Sequence, residues 1–320
     1  MFSQGQILFI PIALWLFILK LTIMEFGKVS DPGKVDFTLP KDAPETKEIL
    51  AKHKKDKPFE VYVGCAKWNK KDLKGFYPPK TKDELKYYSS QFNSIELNAT
   101  FYSMPTPAQV AQWKTKTPDG FKFFPKITNT VTHFKRLLEV KEPLEQYCNA
   151  VANFEDKLGM VFMQLHDNFK PKDFDRLKAT LESFPKGIPL AVEVRNEEWF
   201  SDKKNLEALA TVLEKKKMVN IIVDTAGRRD MLHMRLTGPE VFIRYVGANH
   251  ASDVQRLDDW IVRIKKWRKE GLQKLYFFVH QNIEEASPLL ATHFIKEINK
   301  AFKLNLHVPE KPGGQQPGLF

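Results

Sequence analysis

The sequence predicts a single-domain α/β fold, a (β/α)8 barrel of the TIM type, on three observations. Eight short apolar runs alternate with amphipathic stretches along the chain, the signature of successive parallel βα units. The length of 320 residues accommodates a barrel of about 250 residues with extensions at both ends. No Gly-x-Gly-x-x-Gly fingerprint or P-loop follows any run, which weakens the nucleotide-binding forms of the alternative, a doubly wound open sheet.

The strands are expected at residues 61–64, 95–97, 121–124, 160–163, 190–194, 220–223, 241–245 and 275–279, each rich in Val, Ile, Leu or Phe and bounded by turn or polar residues. Helices are expected at 82–92, 107–116, 143–158, 173–183, 205–217, 254–269 and 287–302, while the connection from 224 to 240 carries no clear helical period. The Trp260, Ile264 and Trp267 stripe should face the strands and leave Arg263, Lys265, Lys266 and Arg268 toward solvent. The barrel is placed at 59–306, after a Lys-, Asp- and Pro-rich lead-in over 24–58 with one helix near 46–53. The Gly- and Pro-rich tail, 307–320, is expected to be mobile.

Residues 1–23 are anomalous. An apolar run over 7–24 contains one charge, Lys20, and is nearly long enough to span a bilayer, but Pro11 interrupts it. No basic residue precedes it and no small-x-small site follows. Met24 opens a polar stretch resembling an ordinary cytosolic start. The expectation is a cytoplasmic protein beginning at Met24 without stable membrane association; the alternative is an anchor through residues 7–24.

Hydrophobic residues make up 42% of the chain, which excludes wholesale disorder. The formal charge of +11 favours an anionic small molecule or nucleic acid as partner, against the blander reading of a solvated basic surface. Cys65 and Cys148 have neither a CxxC spacing nor a Cys/His cluster, so no disulfide framework or structural zinc is indicated and both are expected to be packed thiols. No motif specifies a cofactor, a metal or an oligomeric state.

In a parallel barrel, side chains at the strand C-termini converge on one cavity. Glu96 and Asn98 end the second run at i, i+2 spacing, on one strand face, ahead of Phe101 and Tyr102. Glu193 and Arg195 repeat that spacing in the fifth run, ahead of Trp199; a satisfied ion pair competes there with a ligand contact. Gln164 ends the fourth run with His166 and Asn168 beyond it, Asp224 ends the sixth and Arg244 lies in the seventh. His280 and Asn282 close the eighth; a lone histidine is more often hydrogen-bonded structure than a catalyst, and Asn282 is the contact expected there. Lys126 and His133 follow the third run, where a lysine can bind phosphate or, if desolvated, act as a nucleophile; anion binding is the preferred role. Trp68 after the first run, with Tyr102 and Trp199, offers flat rim surfaces that equally suit packing.

These strand ends resemble the domain-of-unknown-function family 72, the YecE-like proteins. The resemblance is carried by FNSIELNATFY from Phe92, TPDGFKFFPKITNTVTH from Thr117, DKLGMVFMQLHDNF from Asp156 and EVRNEEWF from Glu193. It implies a TIM-like barrel and no particular reaction. Three places depart from the family pattern: Cys65-Ala66-Lys67 before Trp68, Val246 where a histidine is common, and His280-Gln281-Asn282.

The resulting expectation is an enzyme acting on an anionic, phosphate-bearing or nucleic-acid-derived substrate, with hydrolysis and isomerase or lyase chemistry both open. Glu96, Glu193, Asp224 and Lys126 are the candidate catalytic groups. Trp68, Asn98, Tyr102, His133, Gln164, Arg195, Trp199, Arg244 and Asn282 are the candidate binding groups. The alternative is a non-catalytic nucleic-acid-binding barrel.

Overall fold

Runs of β-branched and aromatic residues with both faces apolar suit strands buried on both sides, the condition of a parallel sheet covered by helices. The computed structural model describes residues 27–53 and 56–310, so the apolar segment over 1–23 and the tail beyond 310 lie outside the described residues. The strands are β1 (Glu60–Cys65), β2 (Ser94–Leu97), β3 (Lys122–Pro125), β4 (Val161–Gln164), β5 (Leu190–Glu193), β6 (Val219–Asn220), β7 (Ile222–Asp224), β8 (Glu240–Gly247) and β9 (Lys274–Gln281). Together β6 and β7 occupy the expected sixth run: β6 pairs with β5, and β7 pairs with β8.

Every pairing is parallel, in three sheets ordered β1-β9-β8-β7, β4-β5-β6 and β2-β3. The last two sheets meet where Gly159 N–H donates to Phe123 O at 2.8 Å and Ile127 N–H donates to Phe162 O at 2.9 Å. Period-2 alternation then sorts the strand side chains into two apolar layers. Val63, Phe123, Met163, Val192, Ile243 and Phe277 belong to the layer shared with the helices. Phe124, Phe162, Ala191, Val223, Phe242 and Phe278 form the other.

The helices of eight residues or more among the described residues are α1 (Pro44–Ala51), α2 (Glu84–Gln91), α3 (Pro107–Thr115), α4 (Lys141–Val151), α5 (Phe174–Ser183), α6 (Lys203–Lys216), α7 (Ser252–Glu270) and α8 (Ser287–Phe302). The connection after β7 holds one 3-10 turn, Arg229–Met231, consistent with its missing helical period. The expected helix over 143–158 ends at Val151 and continues as a 3-10 turn, Ala152–Lys157. Trp260, Ile264 and Trp267 of α7 are buried as their spacing predicts. Two of the cations expected in solvent are instead engaged by the lead-in: Arg263 meets Asp42 at 2.6 Å and Pro40 O at 2.7 Å, and Lys266 also reaches Asp42. Arg268 donates to Leu272 O at 2.8 Å, while Lys265 is exposed as expected. The lead-in is tied down again where Thr46 Oγ1 donates to Met234 O at 2.8 Å. Among the described residues no helix is long and apolar enough to cross a membrane.

Between β1 and β2, side chains take the place of a backbone ladder. Asn93 Oδ1 accepts from Val63 N–H at 2.9 Å and Asn93 Nδ2 donates to Val61 O at 2.8 Å. The Tyr88 hydroxyl accepts from Cys65 N–H at 2.7 Å and donates to Ser94 O at 3.1 Å. The approach is close enough that a Cβ on Gly64 would stand 2.1 Å from Ser94 O, so only glycine fits there. Replacing Asn93 by Ala strands a backbone donor and an acceptor together. The N93A variant should lose about 1–3 kcal/mol of stability. Urea denaturation followed by circular dichroism checks this, and an unchanged midpoint would mean that Asn93 does not hold the seam.

Candidate active site

The apolar layer of Phe124, Phe162, Ala191, Phe242 and Phe278 forms the floor of the site. Two residues further along the same strands come Lys126, Gln164, Glu193, Arg244 and His280, and period 2 aims each to the same side as the apolar residue before it. Glu96 joins them from β2. Polar side chains from five strands and the exit of β3 thus gather above an apolar floor.

Arg244 is the hub. Its Nε donates to Glu96 Oε2 at 2.9 Å and its Nη2 to Glu96 Oε1 at 2.8 Å, a two-pronged pair, while its Nη1 donates to Glu193 Oε2 at 2.7 Å. The other oxygen of Glu193 accepts from Arg195 Nε at 2.7 Å. Asn98 Nδ2 donates to Glu96 Oε1 at 2.8 Å, and His280 Nε2 lies 3.0 Å from Glu96 Oε2. Both carboxylates are wholly buried. Burial alone would raise their pKa values, but Arg244 outweighs it, assisted by His280 at Glu96 and by Arg195 at Glu193; the Glu96 carboxyl is held well below its usual range and Glu193 below its own. Such carboxylates stay ionised at neutral pH.

Lys126 stands apart from that pairing. It is 6% exposed; its Nζ donates to the neutral Gln164 Oε1 at 2.9 Å and sits 3.9 Å from the centre of the Phe101 ring. No carboxylate among the described residues is within ion-pair distance of it. Burial, with Arg244 and Arg195 adding repulsion against the weaker pull of Glu193 and Glu96, pushes its pKa down to about 7. Lys157 shows the contrast: equally buried, it donates to Thr117 O at 2.6 Å, Lys114 O at 3.1 Å and Thr117 Oγ1 at 3.3 Å, closing the end of α3. His133 meets Phe101 edge-on at 4.8 Å and His166 at 5.1 Å, with Nδ1 2.8 Å from Thr132 Oγ1. Burial, then Lys126 and His166, lower its pKa to about 4, so it is a neutral imidazole.

Lys126, Glu96, Asn98, His133, Gln164, Glu193, Arg195 and Arg244 therefore come together, and other residues proposed from the sequence do not. Asp224 faces the helices: register aligns Val223 with Arg244 and Asp224 with Tyr245, putting Asp224 on the opposite strand face. There it accepts from Arg256 at 2.8 Å, Trp260 Nε1 at 2.8 Å and Arg229. Trp199 is buried, donating from Nε1 to Phe169 O at 2.8 Å. Trp68 packs edge-on against Trp113. Tyr102 is exposed beside Phe101 at the rim, and Asn282 is half-buried beyond β9. His280, not Asn282, supplies the contact from β9. Its i+2 relation to Phe278 is the signal that identifies it.

Among the described residues no three His, Cys, Asp or Glu side chains gather as metal ligands. A separate cleft of about 260 Å³ is lined by Gln91, Asn93, Asp119, Phe121, Ile295 and His307. Asn93 and Phe121 precede β2 and β3, so this cleft lies at the strand N-terminal ends, away from the charged network.

The chain matches the family described as "Protein of unknown function DUF72" over residues 62–316. It is 24% identical over 282 residues to the UPF0759 protein YecE of Escherichia coli K12, covering 81% of this chain and all of that one. It is 30% identical over 150 residues to the UPF0759 protein YunF of Bacillus subtilis 168, covering 44% of this chain and 52% of YunF. The crystal structure of a DUF72 family protein from Enterococcus faecalis V583 superimposes with a TM-score of 0.61 at 17% identity, covering 77% of this chain and 99% of that one, which is a likeness of fold.

Removing the hub should expose its role. R244M leaves two buried carboxylates without their guanidinium and should cost about 3–5 kcal/mol at neutral pH. In the native protein the lowered carboxylate pKa values contribute stability that is present above their unfolded values and lost as pH falls through the folded ones. In R244M burial acts unopposed by Arg244, so the penalty should shrink from about pH 7 to about pH 5 as the carboxylates take up protons. Urea midpoints of both proteins across that range test it; a penalty independent of pH would contradict the pairing.

Proposed function

The chain belongs to the DUF72 family, and on that premise we propose that it is an enzyme whose anionic substrate binds at the strand C-terminal ends, above Lys126. One observation carries this reading. Glu96 and Glu193 are already met by Arg244 and Arg195, whereas Lys126 has the neutral Gln164 carbonyl as its acceptor. Arg195 has Asp167 at 3.8 Å besides Glu193, so Lys126 is the member of this group whose charge, when protonated, has no carboxylate among the described residues within ion-pair distance, and an anion from solvent can supply the counter-charge. Half-buried Asn98, His133, Arg195 and His280 leave the network a way to solvent. Lys126 and His133 are the candidate proton-transfer groups, Arg195 and Arg244 the anion contacts, and Glu96 and Glu193 hold the two guanidinium groups in place. Hydrolysis and isomerase or lyase chemistry both suit this set.

The fold that supports the site is inferred to be a single (β/α)8 barrel over 59–306. Rings from different sheets share one layer: Phe124 meets Phe278 at 4.8 Å and Phe242 at 5.7 Å, and Phe162 meets Phe242 at 5.6 Å. Asn93 and Tyr88 link β1 to β2. On this reading the segments 24–58 and 307–320 are extensions of the barrel. Two buried free thiols, Cys65 and Cys148, fit the cytoplasm as its location.

A nucleic-acid-binding role without catalysis is the second reading, favoured by exposed Tyr102 and Phe134 near the rim and by the net charge of +11. Isothermal titration with glycerol 3-phosphate at low salt separates the two. The full chain should bind it, K126M should bind at least tenfold more weakly, about 1.4 kcal/mol, and K47M, altered at an exposed site on α1, should match the native protein. Because the anion prefers charged Lys126, affinity should fall as pH rises through about 7. Equal binding by K126M defeats the enzyme reading. Salt-sensitive binding of a single-stranded oligonucleotide, with none of glycerol 3-phosphate, would establish the second.

A further inference from the structure

We propose that Lys126 is a carbonyl-capturing amine, so that the substrate is an anionic aldehyde or ketone held covalently as an imine. The inference rests on the anion-binding reading above and deepens it by naming the second functional group the substrate must carry.

The geometry is that of an amine placed for nucleophilic attack. Nζ lies at the C-terminal exit of β3, over the face of Phe101, with one neutral acceptor. The carboxylates that would hold it as a permanent ammonium are turned to Arg244 and Arg195. The charged and titratable groups around it are Glu96 from β2, Glu193 and Arg195 from β5, Arg244 from β8, and His133, which shares Phe101 with it; His166 stands behind His133. The sum of burial and two guanidinium groups leaves much of the amine neutral at physiological pH. The same two cations that depress its charge attract an anionic substituent, so one substrate can satisfy both features.

The step balances without an outside reagent. The Nζ lone pair forms a bond to the carbonyl carbon while the C=O π electrons move to oxygen, giving a carbinolamine. The C–O bond then breaks, the oxygen leaves as water carrying the two hydrogens of the amine, and the C=N bond of the imine remains. His133, neutral and against the same aromatic ring, can relay these protons; water reverses the sequence to release product.

Glyoxylate, a small anionic aldehyde, is the probe. The full chain is incubated with it, reduced with borohydride, and each lysine's conversion is followed by peptide mass spectrometry. Lys126 should be trapped at least tenfold faster than exposed Lys47 and Lys71 at neutral pH, with a rate that climbs through about pH 7, opposite in sign to the pH dependence of glycerol 3-phosphate affinity. K126M, shown folded by circular dichroism, should lose the fast phase alone, and H133A should slow it. Trapping of Lys126 no faster than of the exposed lysines overturns the inference. If glycerol 3-phosphate binds meanwhile, the carbonyl assignment alone has failed; if it does not, the anion-binding reading has failed as well.

Discussion

Arg244 makes three short hydrogen bonds to two carboxylates that reach it from β2 and β5, strands belonging to different sheets. A guanidinium in this position does what a lysine could not, because its planar fork satisfies both oxygens of Glu96 and still has a nitrogen for Glu193. It also lies 5.5 Å from the Phe162 ring, so the apolar floor and the charged layer above it are in contact at the same residue. Buried pairs of this kind contribute little net stability, since desolvation opposes the attraction, but they are costly to break. Their consequence is geometric: the strand ends are held in one arrangement, and the groups left out of the pairing are thereby defined.

A second guanidinium network does related work on the other strand face. Arg256 of α7 reaches Asp224 at 2.8 Å and Asp253 at 2.9 Å, and stacks 4.5 Å from Tyr245. Asp253 in turn accepts from Ala248 N–H and His250 N–H, fixing the loop after β8. Gln281 spans that loop to β9, donating to Asp253 Oδ2 and accepting from Asn249 N–H. A Cβ at Gly247 would stand 2.4 Å from its amide nitrogen, so glycine there leaves room for the glutamine. The end of β9 therefore yields one residue for each layer: His280 toward Glu96 and Gln281 toward Asp253. The inner network shapes the site, and the outer one fastens the loops that frame it.

The order of strands and helices was legible because apolar runs and amphipathic stretches have different periods. The convergence of Lys126, Gln164, Glu193 and Arg244 was legible for the same reason, since each follows an apolar residue two positions earlier on its strand, and Glu96 was legible from its spacing to Asn98. Asp224 was not. Just before Asp224 the residues Ile221, Ile222 and Val223 are apolar on both faces, so the local sequence offers little contrast from which to read which face the last residue takes; the register Val223 to Arg244 settles it. Trp199 is buried, and the sequence could not show this because a tryptophan at a strand exit has the same appearance whether it lines a rim or fills a core. The pairing of Glu96 and Glu193 with Arg244 joins residues 148 and 51 positions apart in sequence, beyond any local pattern.

The identity of residue 126 gains meaning from its surroundings. The network already contains two guanidinium groups, which stay charged at any physiological pH. A third arginine would add a permanent positive charge to a nearly sealed place with no carboxylate left to meet it. A lysine can shed its charge when no anion is present and regain it when one arrives, so the same position tolerates both the empty and the occupied state. Methionine or leucine would tolerate the empty state equally well and lose the response. Lys126, its pKa lowered to about 7, thus occupies the position that lacks a carboxylate partner, and the pairing of Glu96 and Glu193 with Arg244 and Arg195 is what makes it so.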